Sequence, residues 1–245
     1  MNDPHVETLH YFVKHDNSVD YRDVEPLVHD DALFRVRAEQ RNVVLEPKGH
    51  YATEEEARRA AEGFVRRWEF EAALQAQSDA FRMVYERARI VDHNPSPLPP
   101  GALKPDPIYE SIHVSDALTV TKKPATYPAP PSGSALDPDD CDAKDMLARL
   151  DLYRLGREPL ASMANFCLTV VTPVRRHYQI SKKVISEVGR LTAKKGGAEA
   201  RKAEGRGDPF TSEEIAFLEA AVAAFIRRAA EKAADPNGQL RVIGR

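Results

Sequence analysis

Residues 156–195 read GREPLASMANFCLTVVTPVRRHYQISKKVISEVGRLTAKK and contain both the most apolar helix and the most basic segment of the chain. Pro159 predicts the start of the first helix, where its missing N–H costs nothing, and Pro173 predicts the end. Apolar side chains surround this helix on every side, which is typical of a buried central helix. They are Leu160, Met163, Ala164, Phe166, Cys167, Leu168, Val170 and Val171. The run is well short of the roughly 20 residues that span a bilayer, so we expect no membrane as a partner.

A second, amphipathic helix follows the central one. Ser181 predicts its N-cap, and Ile180 stands where it can pack on Ile185 as a hydrophobic staple. The apolar face of this helix consists of Val184, Ile185, Val188 and Leu191.

The charge of the chain is segregated. From Val174 to Gly207 there are ten lysines and arginines against three glutamates, so this segment carries +7 while the whole chain carries −3 and the remainder −10. Lys182 and Lys183 occupy the first turn of the Ser181-capped helix, where cations oppose the helix macrodipole. We therefore predict an anion-binding face in this segment; an idle solvated face is the alternative, since most charge runs are solvated. The predicted binding residues are Arg175, Arg176, Lys182, Lys183, Arg190, Lys194 and Lys195.

Two more helices complete an all-α C-terminal half. One near residues 143–155 carries several apolar side chains, among them Met146, Leu147 and Leu150. The last helix has a capping box and a staple at its start and ends before the turn at 235–238. The capping box is Thr211 with Glu214, the staple is Phe210 with Ile215, and the apolar stripe is Ile215, Leu218, Val222, Phe225, Ile226 and Ala229.

In the N-terminal half, the spacing of apolar residues is that of several strands and one long helix. Residues 9–13, 33–36, 43–45 and 81–91 predict strands, and the polar turn at 39–42 predicts a hairpin. Thr53 and Glu56 form a capping box ahead of a helix whose apolar stripe should lie across the sheet. That stripe is Ala57, Ala61, Phe64, Val65, Trp68 and Ala72. The fold class predicted is therefore α+β: a small antiparallel sheet with one long helix, followed by a helical domain.

Prolines predict the domain organisation. Eleven of the 18 prolines fall between Pro95 and Pro138, and proline at this density favours extended chain. Between the two proline blocks, the apolar alternation at 112–120 predicts a hairpin that returns to the sheet. We predict a sheet-plus-helix domain at 1–123 with a proline-rich excursion at 93–107, an exposed linker at 124–140, and a helical domain at 141–245 with the basic segment at 174–207.

Composition restricts the class of protein. A length of 245 residues favours two domains, and 42% apolar residues suffice for a sizeable core. A net charge of −3 disfavours a protein that coats nucleic acid with its whole surface, but it permits one basic patch. Cys141 and Cys167 are too few for a disulfide framework or a four-cysteine zinc site, and the N-terminus lacks the pattern of a secretory signal. We therefore expect a reducing, cytoplasmic location.

No motif points to catalysis or to a cofactor. The sequence lacks G-x-S-x-G, a P-loop and G-x-G-x-x-G. The eight histidines are scattered, and His10 and His15 point to opposite faces of one strand, which does not suit two ligands of one metal. The acidic turns at 29–31 and 137–142 lack ordered ligand spacing. We expect no metal and no cofactor, and we assign no catalytic residue.

The segment from Gln179 to Ser186, QISKKVIS, resembles the turn and second-helix start of a helix-turn-helix. This resemblance implies that the residues after Ser181 enter the major groove of DNA. Gln179 stands at the usual turn glycine of that motif, Arg175 stands where its first helix has a small residue, and Pro173 interrupts that helix. A purely structural capped helix is the alternative interpretation.

The order of a β-rich half before a helical half resembles HEPN-containing defence proteins. This resemblance implies a ribonuclease site made of an arginine, a short spacer and a histidine on one helix. In the helical half, His177 directly follows Arg175 and Arg176 without a spacer, so that motif is missing. The one matching pair, Arg22 and His29, falls in a predicted strand and loop region.

These observations favour an intracellular accessory protein that acts by binding rather than by catalysis. Its basic helical domain is expected to contact an anionic partner, either nucleic acid or an acidic protein. One alternative is an enzyme whose site is assembled from the N-terminal histidines and acids across the sheet, which a cleft with strongly perturbed titrating groups would favour. Another is a degenerate HEPN-like protein.

Overall fold

The computed structural model describes residues 3–16, 19–94, 123–124, 126–131, 135–195, 208–238 and 240–243. Within these ranges the predicted α+β fold class is confirmed. The strands are β1 (Pro4–Lys14), β2 (Val19–Asp20), β3 (Leu27–Asp30), β4 (Phe34–Glu39), β5 (Asn42–Pro47), β6 (Arg82–Asp92) and β7 (Lys123–Pro124). The helices are α1 (Glu54–Gln75), α2 (Cys141–Arg154), α3 (Leu160–Val174), α4 (Lys182–Lys194) and α5 (Ser212–Ala234). The predicted hairpin at 112–120, most of the excursion at 93–107 and the part of the basic segment at 196–207 lie outside the described residues.

Five strands form an antiparallel sheet in the order β3-β4-β5-β1-β6, and β2 pairs with β7 in parallel. The predicted hairpin is confirmed, since β4 and β5 are joined through Gln40 and Arg41. Both residues have positive φ, as a two-residue turn between strands with a right-handed twist requires. Alternation along β4 buries one face of the sheet, where Phe34 and Val36 are fully covered.

The chain divides into two compact units. The first consists of Met1–Val65 and Asp79–Pro130, and the second of Arg66–Ser78 and Pro131–Arg245. In the first unit the Phe64 ring of α1 lies 6.0 Å from that of Phe34 on the buried face of the sheet. The Thr53 cap is present, since its Oγ1 accepts from the Glu56 N–H at 3.3 Å. All six residues of the predicted α1 stripe are buried.

The core of the second unit is formed by α2, α3, α4, α5 and the end of α1. It includes Phe70 and Leu74, which explains why the last part of α1 belongs to this unit although it lies within the predicted domain 1–123. The predicted boundary at 124–140 itself stays a prediction. The largest fully buried side chains of this core are Met146, Leu150, Met163, Leu191, Leu218 and Phe225.

The prediction that α3 is buried on every side is wrong. Met163, Cys167 and Val171 are fully buried, whereas Ser162 and Thr169 are exposed on the opposite side. The helix has a polar edge because Ser162, Asn165, Thr169 and Thr172 interrupt the apolar run about once per turn. Pro173 also lies inside α3, which continues by one residue to Val174, so the helix ends directly after the proline rather than at it.

Arg154 of α2 closes the end of α1. Its guanidinium donates to the backbone carbonyls of Ala73 at 2.6 Å, Leu74 at 2.7 Å and Ala76. The last turn of α1 has no cation of its own. Arg154 therefore supplies both the missing donors and the positive charge that a helix C-terminus favours.

The predicted exposure of the linker at 124–140 is wrong at Tyr127. Its side chain is buried, its ring stacks on Tyr21 with centroids 5.2 Å apart, and its hydroxyl accepts from the Arg41 N–H at 3.1 Å. Proline density predicts extended chain, but it does not predict whether an aromatic side chain within that chain finds a partner.

Candidate anion-binding site

The candidate site is built on α4, whose start is fixed by the predicted cap. The Ser181 hydroxyl accepts from the Val184 N–H at 3.3 Å, and the Ser181 φ of −65° and ψ of 146° are those of an N-cap residue. Val184, Val188 and Leu191 are buried in the core of the second unit, as their spacing predicts. The cap and this apolar face together fix which side of α4 is turned to solvent.

Most of the predicted cations of α4 lie on its exposed side. At about 100° per residue, Lys182, Lys183, Arg190 and Lys194 fall within an arc of about 120°, with the exposed Ser186 between them. We call the set Lys182, Lys183, Ser186, Arg190 and Lys194 the α4 basic face. The 13 residues of the helix make this face about 20 Å long.

Two of the seven predicted binding residues are held by glutamates. The Arg190 guanidinium donates to both oxygens of Glu187, at 2.9 and 2.8 Å. The Lys195 ammonium lies 2.8 Å from one oxygen of Glu214 and lowers the pKa of that carboxyl. Lys195 therefore ties the end of α4 to the start of α5 rather than facing a ligand.

The other five make no ion pair within the part of the chain that the structure describes. Lys182, Lys183 and Lys194 are exposed on α4. Arg176 is exposed and Arg175 is half-buried in the turn that precedes α4. Cations without partners at the first turn of a helix oppose the macrodipole by about 0.3–1 kcal/mol each, so Lys182 and Lys183 do not serve helix stability, whereas Lys194 lies in the last turn, where a cation is favourable.

The turn before α4 is held by Gln179 in a left-handed conformation, with φ of 52°. The N–H of Gln179 donates to the Arg176 carbonyl at 3.3 Å, and the N–H of Ile180 donates to the Arg175 carbonyl at 2.9 Å. These two bonds form a Schellman motif, which extends the irregular end of α3 to Tyr178. The turn is thereby reduced to three residues, and Gln179 adopts the backbone that glycine favours at this position of a helix-turn-helix.

The C-terminal segment also contacts this turn. Ile243 donates its N–H to the Gln179 carbonyl at 3.0 Å, and its carbonyl accepts from the Ser181 N–H at 3.1 Å. Ile243 is therefore hydrogen-bonded to the residues on both sides of Ile180. These bonds restrain the direction of α4 relative to the turn that precedes it.

A groove runs beside the α4 basic face, between α4 and the start of α5. Its volume is about 590 Å³, and its walls are Lys183, Val184, Ser186, Glu187, Arg190 and Phe217. Sequence reasoning missed Phe217, although a signal was present. Phe217 is a large aromatic residue outside the predicted α5 stripe, and it packs at the edge of the core of the second unit.

The histidines expected for an enzyme fall into separate places in the first unit. His10 Nε2 lies 2.9 Å from the Thr8 hydroxyl, and His15 Nδ1 lies 2.6 Å from the Asp16 carbonyl. The structure instead brings together His5, His50 and His93, with ring centroids 5.0 and 5.1 Å from His5. Among the described residues, no group of three or more histidines, cysteines or acids is arranged to hold a metal ion.

A second groove, in the first unit, is flanked by tyrosines rather than histidines. It lies along α1 and includes Tyr11, Arg58 and Tyr85, with the Arg58 guanidinium 4.1 Å from the Tyr85 ring centroid. Burial raises the pKa of Tyr11 to about 12 and also raises that of Tyr85. Both phenols therefore stay protonated at neutral pH, and the carboxylates that line this groove are those of Glu55 and Glu62.

The HEPN-like pattern also fails to form. Arg22 lies in a turn, where its guanidinium pairs with Asp20 at 2.7 Å, and His29 lies in β3, as the predicted strand and loop region implied. His177 is exposed in the turn after α3.

The chain matches no family model, no curated protein and no solved structure. Within the described ranges, no helix is both long and apolar enough to cross a membrane.

Proposed function

We propose that this chain is an accessory nucleic-acid-binding protein and that the α4 basic face contacts the phosphate backbone of its ligand. The observation that carries the proposal is the row of exposed cations on one side of a rigid, capped helix, three of which have no acidic partner in the described surroundings. Such a row binds a polyanion through counterion release and needs no sequence-specific contact.

Three further features support the binding of a polyanion. Lys182, Arg190 and Lys194 repeat at multiples of four residues, about 6 Å per step along the helix, which suits a ligand with regularly spaced charges. The N–H groups at the start of α4 add partial positive charge beside Lys182 and Lys183. The segment 174–207 carries +7 against −10 elsewhere in the sequence, so positive charge is concentrated in the segment that contains this face.

Nucleic acid is favoured over an acidic protein by the composition of the face. Its exposed arc contains lysine, arginine, serine and alanine, and no large apolar side chain. A phosphate backbone is bound by charge, whereas protein interfaces depend on central aromatic or apolar anchors. The short turn with a left-handed Gln179 adds a likeness to the helix-turn-helix arrangement, although Arg175 and Pro173 depart from it.

The test compares two double variants by fluorescence anisotropy with a labelled oligonucleotide at low salt. Lys182→Gln with Lys183→Gln removes two charges from the face and is expected to weaken binding uniformly across sequences. Lys14→Gln with Arg157→Gln removes two exposed charges elsewhere and should bind as the wild type does. Equal affinity of both variants, or binding only to a polyglutamate peptide, would contradict the proposal.

The enzyme hypothesis stays a prediction.

A further inference from the structure

The segment at 240–243 is held against the turn before α4. Ile243 pairs in parallel with Ile180, and its side chain packs against the core of the second unit. Arg241 precedes Ile243 by two residues, and two residues of extended chain span at most about 7 Å. Because parallel paired chains run in the same direction, Arg241 lies alongside the residues that precede Ile180. These residues form the turn that carries Arg176.

Two cations of α5 also hold this part of the chain. Lys232 is only 9% exposed, and its ammonium donates to the Gly238 carbonyl at 3.0 Å. The Arg228 guanidinium pairs with Glu231 and also donates to the Arg241 carbonyl. A buried cation costs free energy unless it is paired or hydrogen-bonded, and each of these two uses a backbone carbonyl of the 238–241 stretch. The backbone at Arg241 is therefore fixed by contacts with α5 as well as with the turn.

The side chain of Arg241 itself is exposed to solvent. Within the residues that the structure describes, its guanidinium makes no ion pair and no hydrogen bond. Arginine binds phosphate through two parallel N–H groups, and an ordered backbone beneath it lowers the entropy lost on binding. The α4 basic face begins at Lys182, directly after the turn, so a polyanion that continues past the start of α4 reaches Arg176 and Arg241 next.

We propose that Arg241 is a further phosphate-binding residue, which the 240–243 segment positions so that the binding surface continues from the α4 basic face past the start of the helix. The inference rests on the proposed function and adds a contact from outside the basic segment 174–207. It also specifies the ligand, which is a strand longer than the 20 Å or so of α4.

The experiment measures the salt dependence of binding to a labelled oligothymidylate of 20 nucleotides by fluorescence anisotropy. Arg241→Gln removes the charge, and Arg241→Lys keeps it. The matched control is Arg157→Gln, which removes the charge of another exposed arginine of the second unit, between α2 and α3. Lys182→Gln with Lys183→Gln reports separately on the α4 basic face. Circular dichroism melting of each variant checks that it is folded.

Arg241→Gln is expected to bind more weakly at low salt and to lower the slope of log K against log salt by about 0.7, because one phosphate contact of a single strand is lost. Arg241→Lys and Arg157→Gln should keep the wild-type slope. The inference is overturned if Arg241→Gln keeps this slope while the α4 double variant lowers it. Equal losses in Arg241→Gln and Arg157→Gln would also overturn it, because binding would then follow net charge rather than position. Absence of salt-sensitive binding by the wild type would instead remove the proposed function, and the inference with it.

A second variant tests whether the segment positions Arg241. Ile243→Pro removes the N–H that donates to the Gln179 carbonyl. It should lower the slope as Arg241→Gln does, and the double variant should lower it no further, because both changes remove the same contact. A wild-type slope for Ile243→Pro, or additive losses in the double variant, would show that this bond does not position Arg241.

Discussion

Replacement of Arg154 by methionine tests how the end of α1 is held in the helical unit. The variant loses hydrogen bonds to three carbonyls, those of Ala73, Leu74 and Ala76, and the last turn of α1 contains no cation of its own. The guanidinium is half-buried, and burial lowers the pKa of Arg154, so removing the charge recovers part of its desolvation cost.

The expected loss follows from these opposing effects. A net contribution of about 1.5–3 kcal/mol is typical of one hydrogen bond from a charged group. Three bonds that share one guanidinium are not additive, and water can reach carbonyls at a helix end. We therefore expect Arg154→Met to lower the free energy of unfolding by about 2–4 kcal/mol. Arg154→Lys keeps the charge but not the planar fork, and its loss should be intermediate.

Urea unfolding followed by circular dichroism measures the effect. Arg157→Met is the matched control, because Arg157 is exposed three residues later and should change stability by less than about 0.5 kcal/mol. Hydrogen exchange at the end of α1 should accelerate in Arg154→Met only. If Arg154→Met unfolds at the same urea concentration as the control, Arg154 is not the C-terminal cap of α1.

Three other outcomes are expected. Gln179→Gly should raise the free energy of unfolding by about 0.5–1 kcal/mol, because glycine adopts the left-handed turn without strain; a lower melting temperature would contradict this. Burial raises the pKa of Cys167 to about 12, so at pH 8 Ellman's reagent should react rapidly only with the exposed Cys141. After unfolding it should react with both thiols. Rapid reaction of two thiols in the native protein would show that Cys167 is not buried. The hydrogen bond from Lys144 lowers the pKa of Asp139, so its contribution to stability is complete above about pH 4 and is lost as the pH falls. Asp139→Asn should accordingly be less stable than the wild type at pH 6. The difference between the urea denaturation midpoints of the two proteins should become smaller toward pH 3. A difference that does not change with pH would show that the Asp139 carboxylate does not stabilise the fold.

Local signals predicted the helix starts well. The Thr211 and Glu214 capping box is present in both directions, and the Ser181 cap is formed, because each depends only on residues within one turn. The β4–β5 hairpin could be predicted for the same reason, because it depends on neighbouring residues. These elements place the α4 basic face, so the side of the helix that faces solvent could be derived from sequence.

Features that depend on distant partners could not be derived. Tyr127 is buried by Tyr21, more than a hundred positions earlier, and Arg154 reaches carbonyls about eighty positions away. The left-handed conformation of Gln179 could not be predicted, because no glycine stands at this position. Glu214 was recognised as a capping residue, but its pairing with Lys195 removes one predicted cation from the binding face, and only the packing of α4 on α5 reveals this.

The salt dependence of binding tests the central claim most directly. For a single strand, log K should fall linearly with log salt concentration by about 0.7 per phosphate contact. Lys182→Gln with Lys183→Gln should reduce the slope by about 1.4, while Lys14→Gln with Arg157→Gln leaves it unchanged. A wild-type protein that shows no salt-sensitive binding to single-stranded or duplex nucleic acid at low ionic strength, or an unchanged slope in the α4 variant, would contradict the account.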